Sequence, residues 1–146
     1  MTTATAPWTL HPTLLKDSIP IIDLPVCSVR LLDDCRFPWV ILIPRHPNLS
    51  QWTDIPLTLQ HDLLDEIARV NAALQTRYLP DRLNHGVIGN LVPQLHIHCV
   101  VRYIHDEAWP GVVWGFGTRR PYSALKRLAE AHALAALLRQ PSAAHS

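Results

Sequence analysis

The chain of 146 residues is long enough for one domain whose core needs neither disulfides nor metals. Its formal net charge is +1, from 13 basic and 12 acidic side chains, so the sequence carries no broad field that would favour nucleic acid or an anionic membrane. Its apolar runs are shorter than a membrane-spanning helix, and its three cysteines form no CxxC pair. We therefore expect a cytoplasmic protein that binds neither nucleic acid nor a membrane.

The first part of the chain predicts an arm followed by two strands. Residues 1–18 show no sustained periodicity, which is typical of an arm that lies over a domain or frays from it. A strand is predicted at residues 26–32, because the prolines before it disfavour a regular central strand there. Asp33 and Asp34 then supply a turn, and the apolar run at residues 39–43 predicts a strand covered on both faces.

Two helices are predicted in the remaining chain. The stronger one is amphipathic and ends before Pro80, with apolar residues recurring every three or four positions: Leu59, Leu63, Ile67, Val70 and Leu74. The second runs from about residue 123 to residue 139, and its predicted inner face consists of Leu125, Leu128, His132, Ala135 and Leu138.

Two further strands lie between these helices. LNHGVIGN predicts a strand followed by a Gly-Asn loop, and the stretch after it predicts a strand joined to the first by a connection of hairpin type. The order of strands, helix, strands and helix predicts an α+β fold, with a mostly antiparallel sheet, a long helix packed on it and a C-terminal helix. We expect residues 19–118 to form the domain and residues 119–146 to pack on it as a helix and tail.

The stretch VPQLHIHCVVRY, residues 92–103, alternates with a period of two. One predicted face is apolar, whereas the other carries Gln94, His96, His98 and Arg102. Because each strand residue advances about 3.3 Å, the two histidines would lie roughly 6 to 7 Å apart on one face. Both imidazoles could therefore meet a single ligand.

Three interpretations of this histidine pair remain open from the residues alone. The first is a solvated strand face without a chemical role. The second is a zinc site, whose further ligands would come from His46, His85, His105 or an acid, although none of these stands at a telling spacing. The third is nucleophilic catalysis, in which a neutral imidazole attacks phosphorus and forms a covalent intermediate.

The segment QLHIHCV resembles the signature of the histidine-triad (HIT) family of nucleotide hydrolases and transferases. The match is at His96 and His98, while Gln94 stands where the family usually has its first histidine. GNLV is similar to the family's Gly-Gln-Ser/Thr-Val segment, LNHG to its Asn-bearing strand, and VRLLDD with WVILIPRH to its paired early strands. The resemblance covers about residues 20–118, and AWPGVVWG looks like a bacterial branch described as diadenosine-tetraphosphate-hydrolase-like.

The resemblance implies a role for each member of the histidine strand. His96 would be the nucleophile that attacks an α-phosphorus, His98 would donate to the non-bridging phosphate oxygens, and Gln94 would donate to a phosphate oxygen or to the scissile bridge. No metal is needed to form the nucleophile, although a divalent cation can accompany the substrate. Five further residues are implied to contact the nucleotide: Asn84, Asp33, Asn90, Leu31 and Trp39.

Three departures from the family pattern bear on activity. Gln94 cannot act as an acid, Trp39 takes the place of a fourth histidine, and Leu91 stands where relatives have Ser or Thr. We therefore expect a leaving group that needs no protonation, which favours polyphosphates over phosphoramidates. The expected protein is a homodimeric enzyme acting on substrates of the diadenosine-polyphosphate type, and the alternative is a nucleotide-binding or sensing module with little turnover.

Overall fold

A computed structural model describes residues 6–141, and this part of the chain forms a five-stranded sheet with helices. The strand order is β1-β2-β3-β5-β4, and each neighbouring pair is antiparallel, which confirms the predicted α+β architecture. The strands are β1 (Ser18–Asp23), β2 (Cys27–Leu32), β3 (Trp39–Pro44), β4 (Arg82–Gly86) and β5 (Ile97–Arg102). The helices are α1 (Pro12–Asp17), α2 (Leu57–Tyr78) and α3 (Ala124–Leu138), with a 3-10 turn at Trp52–Asp54.

The start of the chain is more regular than the sequence predicts. The predicted arm at residues 1–18 contains α1, and β1 begins at Ser18; residues 1–5 lie outside the described part. Pro20 is tolerated because β1 is an edge strand, and its pairing with β2 shifts register between Pro20 and Ile22. As expected from the prolines, no central strand forms before β2. The sequence did not predict the edge strand β1 that forms there.

Helix α2 packs on one face of the sheet through the stripe that its spacing predicts. Leu63, Ile67, Val70 and Leu74 are buried, and Leu59 packs partly buried against them. The same stripe contains a buried acid, Glu66, which the apolar pattern does not reveal. Its carboxylate accepts hydrogen bonds from the backbone amides of Val26 and Cys27 at 2.6 and 2.8 Å. These bonds fasten the start of β2 to the helix.

Of the predicted inner face of helix α3, only Ala135 and Leu138 are buried. Leu125 and Leu128 are 83% and 51% exposed, and His132 is exposed as well. The stripe that packs against the rest of the protein contains Glu130, whose carboxylate binds Arg77 and Tyr78 of α2. The residues of α3 that are buried are Glu130, Ala131, Leu134, Ala135 and Leu138.

The sheet face opposite α2 has its own apolar cluster, and it carries the histidines. The N-terminal segment and the segment after β5 cover this face. The members of the cluster include Leu14, Phe37, Trp39, Ile41, Ile43, Val100, Ala108 and Val113, with Trp8, Leu10, Trp114 and Phe116 packed against them. None of the helices within residues 6–141 has the length and apolar character needed to cross a membrane.

Candidate active site

His96 and His98 project from the same face of the sheet. Strand β5 begins at Ile97, so the predicted strand at residues 92–103 is shortened and His96 directly precedes it. The alternation nevertheless holds, because the centroids of the two imidazole rings lie only 4.8 Å apart, with an angle of 61° between the ring planes. A group the size of a phosphate could therefore contact both rings.

The hydrogen bond of His96 defines which of its nitrogens is free. Its Nδ1 lies 2.7 Å from the backbone oxygen of Gln94, and a carbonyl can only accept, so Nδ1 carries the proton. Nε2 therefore holds a lone pair and points away from the backbone of the strand. Burial lowers the pKa of His96, and the Gln94 carbonyl only partly offsets this effect. The ring is thus neutral at pH 7 and can act as a nucleophile.

His98 has the opposite tautomer. The indole Nε1 of Trp39 donates to Nδ1 of His98 at 2.8 Å, so the proton of the imidazole is on Nε2. That Nε2 is buried and has no hydrogen-bond partner within residues 6–141. Burial, with a smaller contribution from the neighbouring His96, lowers the pKa of His98 to about 3. The ring is therefore a neutral donor whose N–H has no protein partner among these residues.

Trp114 completes the aromatic surroundings of His98, and the sequence did not single it out. Its ring lies edge-on to His98 and to Trp39, with centroid distances of 5.6 and 5.8 Å. Gly86 pairs with His98 across β4 and β5, and a Cβ at this glycine would come within 2.9 Å of the Trp114 ring. Because Gly86 on β4 has no side chain, there is room for the indole of Trp114. The only sequence signal was the aromatic and glycine-rich stretch after β5.

Gln94 is held by the N-terminal segment. Its Nε2 donates to the backbone oxygen of Thr9 at 2.8 Å, and its Oε1 accepts from the backbone amide of His11 at 2.9 Å. The predicted role of Gln94 as a phosphate donor is not tested by these bonds, but they fix the orientation of its amide. Their partners are more than 80 positions away in the sequence, so spacing could not predict them.

The two acids after β2 both have protein partners. Asp33, which the family resemblance implies as a nucleotide contact, accepts from the backbone amide of Tyr122 at 2.9 Å and lies 3.3 Å from a guanidinium nitrogen of Arg127. Asp34 is almost fully buried and pairs with Arg36 at 2.7 Å. Each carboxylate oxygen of Asp33 has one such partner and can accept a further hydrogen bond, whereas Asp34 has a structural role.

The other predicted nucleotide contacts lie in different places. Leu31 is fully buried in the core beneath α2, on the face opposite the histidines, so its predicted place in the site is wrong. Asn84 pairs with Val100 on the histidine face, and its Oδ1 accepts from the buried Arg102 at 2.7 Å. Asn90 is exposed in the loop before β5. Of this predicted set, Trp39 alone is seen to bond a histidine of the pair.

The zinc interpretation lacks a ligand set. No group of three or more His, Cys, Asp or Glu side chains that could hold a metal ion occurs in the part of the chain from residue 6 to residue 141. His85 binds Asn71 at 2.8 Å, and His105 stacks on Tyr103. Neither joins the histidine pair.

Comparison with known proteins identifies the family of this site. The profile of the HIT domain matches residues 15–105. A histidine triad protein from Bradyrhizobium japonicum is 38% identical, with a TM-score of 0.87 over 90% of this chain and 98% of the other. The chain belongs to the HIT domain family. The matched range includes His96 and His98.

Two further HIT proteins of known structure are similar over most of their length. The one from Sinorhizobium meliloti is 34% identical, with a TM-score of 0.85 over 90% of this chain and 97% of the other. The one from Marinobacter aquaeolei is also 34% identical, with a TM-score of 0.82 over 91% of this chain and 94% of the other. Curated proteins provide no match. The names of these HIT relatives state the family and no substrate or reaction.

Proposed function

We propose that this HIT protein is a nucleotide hydrolase or nucleotidyl transferase that acts at the α-phosphate of a nucleoside polyphosphate. The observation that carries the proposal is the pair of adjacent neutral imidazoles with opposite tautomers. His96 offers a lone pair at Nε2, and His98, with its ring centroid 4.8 Å away, offers an N–H. A phosphoryl centre needs these two functions, a nucleophile and a donor to its oxygens.

The proposed reaction has two steps. Nε2 of His96 attacks the α-phosphorus, a P–N bond forms, and the bond from phosphorus to the bridging oxygen breaks with its electron pair leaving on that oxygen. Water, or another acceptor, then attacks phosphorus, the P–N bond returns its electron pair to Nε2, and the proton of the attacking hydroxyl passes to solvent. The Nδ1–H of His96 stays bonded to the Gln94 carbonyl, which stabilises the positive ring of the intermediate.

His98 would stabilise the charge that develops on the non-bridging oxygens. Its Nε2–H is buried and has no partner within the described residues, and an unpaired buried donor is costly until an acceptor arrives. A phosphate oxygen would supply that acceptor. Removing one such preorganised donor typically lowers the rate by roughly 10²- to 10³-fold.

The groups at the site support one class of substrate. Both rings of the pair have lowered pKa values, mainly through burial, so neither is a ready proton donor at neutral pH. A leaving group that departs as a stable anion, such as a nucleotide or pyrophosphate, suits this site better than an amine. We therefore favour diadenosine polyphosphates, with a divalent cation free to accompany the phosphates.

A binding or sensing module with little turnover is the second candidate. It is favoured by one observation: the first position of the family motif holds Gln94, whose amide is bonded to the N-terminal segment. Turnover decides between the two candidates. The first would consume substrate, whereas the second would bind it unchanged.

The test uses purified protein with diadenosine tetraphosphate and with a fluorogenic adenosine phosphoramidate. We expect turnover of the polyphosphate, loss of that turnover in His96→Ala, and retained nucleotide binding by calorimetry in the same variant. His132→Ala is the matched control, because His132 is exposed on α3, outside the site. Binding without turnover by the wild-type protein would reject the enzyme and support the sensor.

We also propose that the protein is a homodimer that pairs through the β4 side of the sheet. Strand β4 is an edge strand, and such edges are usually covered. Trp52 and Leu64, which are 52% and 61% exposed, lie beside it and help to line an apolar cavity of about 340 Å³ between α2 and β4. Light scattering should give a dimer mass for the wild-type protein and a monomer for Leu64→Glu, while a wild-type monomer would reject the proposal.

A further inference from the structure

The N-terminal segment lies over the histidines and is fastened to Gln94. Leu14 is buried in the apolar cluster of the histidine face. Thr9 and His11 hold the Gln94 amide from both sides, through a carbonyl at 2.8 Å and a backbone N–H at 2.9 Å. The backbone of His11 is therefore fixed beside the position where the HIT motif usually places its first histidine.

The hydrogen bond that the His11 ring accepts defines which of its nitrogens can donate. Its Nδ1 accepts from the backbone amide of Thr13 at 3.1 Å as the N-cap of α1, so in the neutral ring the proton is on Nε2. Burial is the main reason that the pKa of His96 is lowered, and the charge that His11 can carry lowers it further. The side chains of His11 and His96 are therefore close enough for a charge on one to affect the other.

We propose that His11 donates a hydrogen bond to the leaving group of the reaction at His96. This inference rests on the proposed function. Nδ1 of His96 is bonded to the strand backbone, so Nε2 faces away from the sheet, and a phosphorus in front of it lies farther out. In-line displacement puts the departing oxygen beyond the phosphorus, on the side that the N-terminal segment covers.

The step that His11 assists involves no proton transfer from this ring. As the bond between phosphorus and the departing oxygen breaks, the electron pair moves onto that oxygen, and the Nε2–H of His11 stabilises the growing negative charge. The P–N bond to His96 forms in the same step. A neutral imidazole can act in this way as a hydrogen-bond donor without ionising. The N-terminal segment would thus supply, through His11, the imidazole that is missing from the motif because position 94 is a glutamine.

The test compares leaving groups of different basicity. The substrates are the phenyl and 4-nitrophenyl esters of adenosine 5′-monophosphate, because phenolate is the more basic anion and needs more stabilisation. His11→Asn keeps an oxygen that can cap α1 but is too short to replace the Nε2–H, whereas His11→Gln carries an N–H at a similar reach. Thr13→Ala is the control, since it keeps the backbone amide and removes only an exposed side chain.

We expect His11→Asn to lower kcat/KM by roughly 10²-fold for the phenyl ester and by a clearly smaller factor for the 4-nitrophenyl ester. His11→Gln should recover most of the loss, and Thr13→Ala should match the wild-type protein. Equal losses on both esters, no loss, or the same behaviour in Thr13→Ala would overturn the role of His11.

The two proposals fail in distinguishable ways. If the wild-type protein turns over the esters, His96→Ala abolishes that turnover, and His11→Asn behaves as the wild type, then only the role of His11 is rejected. If the wild-type protein turns over neither the esters nor diadenosine tetraphosphate, the proposed function and the role of His11 are both rejected. If it turns over only diadenosine tetraphosphate, and His11→Asn leaves that turnover unchanged, only the role of His11 is rejected.

Discussion

The indole of Trp39 on β3 donates a hydrogen bond of 2.8 Å to Nδ1 of His98 on the neighbouring strand β5. This bond fixes the tautomer of His98, because an imidazole nitrogen that accepts cannot carry the proton. The other nitrogen must then be the donor. Trp39, which stands where relatives have a fourth histidine, therefore orients His98.

Replacing Trp39 by Phe should lower kcat for the polyphosphate by roughly 10- to 100-fold, because His98 loses the partner that keeps its proton on Nε2. Nitrogen-15 chemical shifts of the His98 ring should show a mixture of tautomers in this variant and one tautomer in the wild type. Trp114→Phe is the matched control, since Nε1 of Trp114 has no hydrogen-bond partner in the described part of the chain. An unchanged tautomer in Trp39→Phe would contradict this account.

Stability should depend on pH through His98. Burial lowers the pKa of His98 to about 3 in the folded protein, against about 6.5 in an unfolded chain. Between these values the unfolded chain binds a proton at this ring and the folded protein does not, so the free energy of unfolding falls as the pH falls below about 6.5.

The test of this linkage is His98→Asn, which keeps an acceptor for Trp39. From pH 6.5 to 5, the wild-type protein should lose up to ~1.4 kcal/mol per pH unit more than the variant, the equivalent of one proton. Carboxylates contribute little in this range because their ordinary pKa values are lower. Urea denaturation at several pH values measures the slope, and identical slopes would show that His98 titrates normally.

Glu66→Gln should destabilise the protein by about 2 kcal/mol, because hydrogen bonds to a charged group are stronger than those between neutral groups. The buried carboxylate accepts from two backbone amides, at Val26 and Cys27, whereas the amide of Gln has only one oxygen. The neighbouring Asp65→Asn is exposed and should change stability by less than ~0.5 kcal/mol. If urea denaturation gives equal effects for the two substitutions, the hydrogen bonds of Glu66 do not stabilise the contact between α2 and β2.

Gly86→Ala should cost about 1 to 3 kcal/mol, because the new Cβ would overlap the Trp114 ring, from which it would be only 2.9 Å away. The cause can be isolated in a double-mutant cycle with Trp114→Leu, measured by thermal unfolding. The cost of Gly86→Ala should shrink in the Trp114→Leu background. An unchanged cost would mean that the glycine is needed for the strand and not for the indole.

The sequence predicts those features that depend on local periodicity. The stripe of α2 is found because its apolar side chains recur along one helix face, and the pairing of His96 with His98 is found because alternate residues share a strand face. The face of α3 is predicted only in part, because apolar character alone does not decide which positions are buried. Leu125 and Leu128 are apolar but exposed, while Glu130 is buried because α2 supplies its partners.

Contacts between distant segments could not be predicted in this way. The bond from His11 to Gln94 joins residues 83 positions apart, and that from Trp39 to His98 joins residues 59 positions apart. Leu31 was assigned to the site by alignment, although its register with Val40 and Cys99 turns it toward α2. The tautomers of the pair, which carry the chemistry, follow from such contacts and not from the motif.

The central claim is a covalent nucleotide on Nε2 of His96, and intact-protein mass spectrometry tests it most directly. The protein is mixed with diadenosine tetraphosphate and quenched within milliseconds at alkaline pH, because phosphorus–nitrogen bonds hydrolyse in acid. We expect a fraction of the wild-type protein to gain one adenylyl mass, localised to His96 by peptide fragmentation and absent in His96→Ala. Steady turnover with an adduct on another residue, or with only the unmodified mass at every time point, would contradict the account.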